Sequence, residues 1–102
     1  MNKNAKNFVL GIMEECNKIT QYCSKSLKFG LFSHHPNEHT TNGDKILTKY
    51  YRLQGLIELL QRERLLPTYN KKYIDALKRE GCSYHKSDNI KNNKKERNYA
   101  SK

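Results

Sequence analysis

No apolar run in this chain approaches the ~20 residues that a membrane-crossing helix needs. The first seven residues, Met1-Asn-Lys-Asn-Ala-Lys-Asn7, are polar and hold no hydrophobic signal segment. Cysteine is scarce and odd in number. Cys16, Cys23 and Cys82 cannot all pair, so reduced thiols in a cytoplasmic protein are the simple expectation. There is no Cys-x-x-Cys, no Ser-His-Asp set and no glycine-rich phosphate loop. No segment alternates convincingly as a strand, and no internal repeat is present. Acids are also few, with 10 Asp and Glu against 20 Lys and Arg, for a net charge of +10. That excess favours anionic partners, namely nucleotides, nucleic acid or an acidic surface.

What is present is helical. In 102 residues there is room for one modest domain. Over residues 6–28, Val9, Ile12, Cys16, Ile19, Cys23 and Leu27 recur at spacings of three and four, and Met13 and Thr20 widen the stripe. Cys16 and Cys23 read as small core residues on that stripe. Phe29-Gly30 closes the helix, since glycine accepts a left-handed cap. Residues 31–43 form a polar loop. A second helix begins near Asn42 as N-cap, with Asp44 in its first turn. Its buried face reads Ile46, Tyr50, Leu53, Ile57 and Leu60, widened by Leu47, Leu56 and Leu59. Gly55, in mid-helix, costs roughly 1 kcal/mol relative to Ala and suggests a close helix approach. Pro67 breaks the chain. Thr68 or Asn70 caps a shorter third helix, which Gly81 ends. From 83 to 102, Lys, Asn and Ser dominate, and a frayed or disordered basic tail is expected. The helical domain is therefore 1–82 and the tail 83–102. Cationic tails often only solubilise; nucleic acid is the specific partner this one would suit.

Two polar faces stand out. Glu15, Lys18, Tyr22 and Lys25 share a face of the first helix, with Glu14 beside Lys18. Lys45, Lys49 and Arg52 share a face of the second. If the helices pack antiparallel, the two faces flank one groove; otherwise they are ordinary solvated surfaces. His34-His35-Pro36-Asn37-Glu38-His39, with Cys82-x-x-His85, offers zinc donors. A zinc site needs three or four of them in closed geometry, and histidines beside proline read more simply as polar loop.

Three stretches carry a resemblance. They are Glu14-Glu15-Cys16-Asn17-Lys18, Ser24-Lys25-Ser26-Leu27-Lys28-Phe29-Gly30, and Lys49-Tyr50-Tyr51-Arg52 followed by Leu53-Gln-Gly-Leu-Ile-Glu-Leu-Leu60. Over roughly residues 8–80 the chain resembles the all-α NTP pyrophosphatase superfamily. Within it the likeness is to the MazG-like and dimeric dUTPase-like group, and above all to its short phage-encoded members. Those carry Glu-Glu-x-x-Glu, then Ser-Lys-x-Leu-Arg-Phe-Gly, then a helix with Glu-x-x-Asp. The family's acids hold magnesium, which bridges the nucleotide phosphates and activates water for cleavage between the α and β phosphates.

By that resemblance Glu14 and Glu15 keep the family's acids, while Lys18, Lys49 and Arg52 stand where acids would be. A cation 4 Å from a divalent ion repels it by ~8 kcal/mol at an effective dielectric near 20. The bases suit a phosphate instead. Lys18, Lys25, Lys28, Lys49 and Arg52 are the candidate ligands, and Tyr22, Tyr50 or Tyr51 a candidate stacking ring, with core packing the simpler role for Tyr50.

The expectation is an all-α, MazG-like bundle completed by oligomerisation, as dimer or tetramer. Two helices of about twenty residues and one short helix do not bury two wide apolar faces in a monomer. The expected function is binding of a nucleotide or phosphate ligand without hydrolysis and without a cofactor, in a host cytoplasm if phage-encoded. Two alternatives stay open. One is an active magnesium-dependent NTP pyrophosphohydrolase using Glu14 and Glu15. The other is a basic interaction protein that binds nucleic acid or an acidic protein.

Overall fold

The computed structural model describes residues 1–83. The expected tail lies outside the described residues except for Ser83. Among those residues there are three helices and no strand, so the protein is all-α as expected: α1 Lys3–Phe29, α2 Asn42–Arg62 and α3 Lys71–Ser83. The chain divides into two units, Met1–Pro67 and a second beginning at Thr68.

The first unit is a hairpin of α1 and α2. Helix α1 starts earlier than its apolar stripe, because Asn2 supplies an N-cap whose side chain accepts from the Ala5 N–H. It ends as expected at Phe29, where the Gly30 N–H donates to Ser26 O and Gly30 takes φ 100°. The cap of α2 is Thr41 rather than Asn42. Thr41 Oγ1 accepts from the Asp44 N–H and the Asp44 carboxylate accepts from the Thr41 N–H, a reciprocal capping box. Asn42 has a different task. It is buried, its Nδ2 donates to Gly30 O at 3.1 Å, and its N–H donates to Ser33 O. The Gly43 N–H adds a third tie, to Leu31 O at 2.8 Å.

The interhelical seam runs Ala5, Phe8, Ile12, Glu15, Ile19, Tyr22 and Ser26 on α1 and Asn42, Ile46, Lys49, Leu53, Leu56 and Leu60 on α2, with Gly11, Gly43, Lys45, Ile57, Leu59 and Gln61 partly covered beside it. The seam positions alternate by three and four, the spacing at which two helices meet. The α1 seam is rotated away from the apolar stripe that the sequence suggests. Val9, Met13 and Leu27 stay exposed, Leu27 by 91%, and so do Cys16 and Cys23. Tyr50 is likewise exposed, while Lys49 occupies the seam. The close approach falls at Gly11, not Gly55. A Cβ on Gly11 would lie 3.2 Å from a Leu56 methyl, whereas one on Gly55 meets nothing within 4 Å.

At the far end of α2, Arg64 sits at φ 60°. Its N–H donates to Gln61 O and the Leu65 N–H to Leu60 O, closing the helix with the pair of bonds that usually ends on glycine. In the second unit, Asn70 Oδ1 accepts from the Tyr73 N–H and so caps α3. Gly81 does not end this helix, which continues through Ser83. Lys71 and Asp75 pair along it at 3.0 Å.

Two outcomes follow. Thr41→Ala should destabilise the hairpin by about 1 kcal/mol in denaturant unfolding. The Asp44 carboxyl is held below its ordinary range, first by the Thr41 backbone N–H and then by the Thr41 side chain. A depressed folded pKa gives stability that is present above the unfolded value and lost as pH falls through the folded one. The cap's contribution should therefore fade below the usual aspartate range, and Asp44→Asn should flatten that acid limb. Separately, Arg64→Gly should stabilise by up to about 1 kcal/mol, relieving left-handed strain at some cost in unfolded-chain entropy. An unchanged midpoint would show that the Arg64 backbone carries no strain.

Candidate phosphate-binding face

Two contacts fix the register of the hairpin. Gly11 lies against Leu56, and the Lys45 ammonium sits 5.4 Å from the centre of the Tyr22 ring. The helices are therefore antiparallel. Each rises about 1.5 Å per residue, so stepping inward from both contacts brings Lys18 level with Lys49 and Glu15 level with Arg52. In an antiparallel pair, positions turned the same way from each seam come to the same side. Lys18 and Lys25 of α1 thus share one side of the hairpin with Lys45, Lys49 and Arg52 of α2. Val9, Met13, Cys16, Cys23 and Leu27 share the other with Leu47 and Tyr50. The two basic faces flank one surface, as antiparallel packing requires.

The named residues do not form one pocket. Glu14 and Lys18 line a shallow hollow on α1 with Asn17, Gln21 and Ser24, and no α2 side chain contributes to it. Lys25 belongs to a separate cleft of about 310 Å³ at the turn end, where it meets Lys45, Phe29, His34 and His35. Tyr22 is half-buried in the seam, and the Lys25 ammonium also lies 5.4 Å from its ring centre. A ring held there between helices and two ammoniums is a wall, not a free stacking platform. Lys28 lies over Phe29 at the same separation. Arg52 is exposed and Lys49 half-covered.

Glu15 is the anomaly. It occupies a seam position, and its Oε2 is enclosed with no hydrogen-bond partner. An enclosed acceptor left unmatched costs roughly 1–3 kcal/mol, and more when charged. Such an oxygen would suit a cation. The donor set around it does not suit a divalent metal: Glu14 and Glu15 are set against Lys18, Lys49 and Arg52. Among the described residues no three His, Cys, Asp or Glu side chains come together as metal donors, and the loop histidines are included in that statement.

Sequence reading passed over Glu38. It pairs with Lys45 through its carboxylate. The Lys45 hydrogen bond and charge, then the charges of His35 and Lys25, hold its carboxyl below the ordinary range. Helix periodicity carries no signal for a loop residue. Lys45 itself was legible, through its spacing to Lys49 and Arg52.

Glu15→Leu should raise hairpin stability by about 1 kcal/mol, because it replaces an unmatched acceptor with the residue type the seam otherwise uses. Denaturant unfolding checks this, and destabilisation would mean that the carboxylate is matched in solution.

No family model matches the chain, no curated protein matches it, and no solved structure matches it.

Proposed function

We propose that this chain is a MazG-like helical protein whose metal-binding acids have given way to bases, and that it binds a nucleotide or another phosphate ligand without hydrolysing it. The observation that carries the reading is the register of α1 on α2. It brings Lys18, Lys25, Lys45, Lys49 and Arg52 to one side of a single hairpin. Five cations on one side, against Glu14, the seam-bound Glu15 and the Glu38 that pairs with Lys45, favour a polyanion. Arg52 and Lys49 engage phosphate oxygens directly, and Lys18 and Lys25 extend the contact along α1. The apolar side, with Leu47, Tyr50, Met13 and Leu27 open to solvent, supports a dimer or tetramer closed through that side. No described helix is long and apolar enough to cross a membrane. A phage-encoded protein that sequesters a nucleotide signal in the host cytoplasm fits this chemistry. The basic tail, outside the described residues, offers nucleic acid as a further partner.

One observation favours a second reading. The enclosed, unmatched Glu15 oxygen beside Glu14 is what a residual cation-dependent NTP pyrophosphohydrolase would keep.

Calorimetry against a nucleotide panel, with and without magnesium, separates the two. Binding should survive chelation of divalent ions. Arg52→Ala should weaken it about tenfold, since a charge-assisted hydrogen bond contributes roughly 1.5–3 kcal/mol. Lys49→Glu with Arg52→Glu should abolish it while the helical circular dichroism is retained. Magnesium-dependent pyrophosphate release that disappears in Glu15→Ala would establish the enzyme instead.

A further inference from the structure

The loop between α1 and α2 is folded by its own polar groups. The Glu38 N–H donates to His35 O at 2.9 Å, so the chain doubles back and carries the Glu38 side chain to Lys45. The Asn37 N–H donates to His35 Nδ1 at 3.3 Å. Nδ1 is thereby engaged within the loop, and Nε2 is the ring nitrogen left for a ligand. The loop also closes one wall of the turn-end cleft. Its cations are Lys25 and Lys45, with His34 and His35 beside them, and Phe29 is 63% exposed at its edge. At about 310 Å³ the cleft has the volume at which small-molecule sites begin.

We infer that this cleft is an anion site rimmed by the Lys45–Glu38 ion pair, and that an organic phosphate enters by taking Lys45 from Glu38. The inference rests on the phosphate-binding reading above and adds a phosphate position at the turn end of the basic side to the one that Lys49 and Arg52 engage at its middle. Two facts carry it. Lys25, Lys45, His34 and His35 line one cleft. The carboxylate nearest them is already bound to one of the ammoniums, as a phosphate oxygen would be. Glu38 feels the same cations an incoming phosphate would feel, since Lys45, His35 and Lys25 all hold its carboxyl in the charged form. Phe29 lines the cleft and is 63% exposed, with Lys28 over its ring, so a phosphate bearing a planar ring suits the site better than inorganic phosphate does.

The swap is cheap in both directions. Lys45 keeps a charge-assisted partner throughout, and Glu38, half-exposed, is rehydrated when it leaves. The loop therefore does not need to unfold to admit a ligand. The capping box and the Asn42 tie lie on the α2 side of the cleft and are untouched by the movement of one side chain.

The test uses the full chain and inorganic pyrophosphate at constant ionic strength, with the imidazole signals of His34 and His35 followed by NMR. A saturable shift of both is expected. Glu38→Gln removes the competing charge while keeping size and polarity, so it should tighten pyrophosphate binding about twofold to fivefold, the range open to a surface ion pair. Lys45→Gln should weaken it and erase the gain in the double variant. Unmoved imidazole signals, or affinity unchanged by Glu38→Gln, would overturn the inference. ATP calorimetry runs alongside. ATP binding that is abolished by Lys49→Glu with Arg52→Glu, but leaves both histidines unmoved, sinks the turn-end site and spares the proposed function. Pyrophosphate binding at the histidines without any ATP binding keeps the turn-end site and removes the nucleotide from the proposed function.

Discussion

Everything in the hairpin hangs on how its turn is closed. A loop of a dozen residues does not by itself set the register of two long helices. Here three short-range bonds do so: Asn42 Nδ2 to Gly30 O, the Asn42 N–H to Ser33 O and the Gly43 N–H to Leu31 O. They tie the end of α1 to the first turn of α2. Gly30 makes this feasible, because its φ of 100° turns the chain out of α1 at a value that side chains rarely accept. Once the turn is pinned, the position of every side chain along the seam is set, including the level at which Lys18 meets Lys49.

That register gives the hairpin two unlike sides. The seam between them is thin and is interrupted by Glu15 and Lys49, two polar residues at positions where Leu or Ile would pack better. Neither forms an ion pair with the other, since the ion pairs among the described residues are Lys45 with Glu38 and Lys71 with Asp75. A seam that gives up apolar contact at its middle, next to a concentration of like charge, is less stable than an all-apolar one would be.

Much of this could be read from the residues in order. The all-helical class, the end of α1 at Phe29-Gly30 and the place of Asp44 in the first turn of α2 follow from periodicity and capping chemistry. So does the alignment of Lys45, Lys49 and Arg52. What could not be read has a common cause. The apolar stripe of α1 is wider than the seam that covers it, so periodicity locates the stripe but not which edge is buried. Val9, Cys16, Cys23 and Leu27 fell on the open edge, and Glu15 and Tyr22 on the closed one. Gly55 and Gly11 could not be distinguished, because propensity says where glycine is costly, not where a neighbour approaches. The pairing of Glu38 with Lys45 depends on a turn of the loop at His35. Thr41 and Asn42 are both good caps, and the Gly30 carbonyl that claims Asn42 is twelve residues away in sequence.

The shallow interior of this hairpin has a thermal consequence. Ala5 and Leu60 are the buried hydrophobic residues among those described. The heat capacity change of unfolding scales with newly exposed apolar surface. A unit with so little to expose has a small one, so its stability curve is low and flat, neither sharply peaked near room temperature nor steeply lost on warming. A protein of this kind passes gradually from folded to unfolded over a wide temperature range.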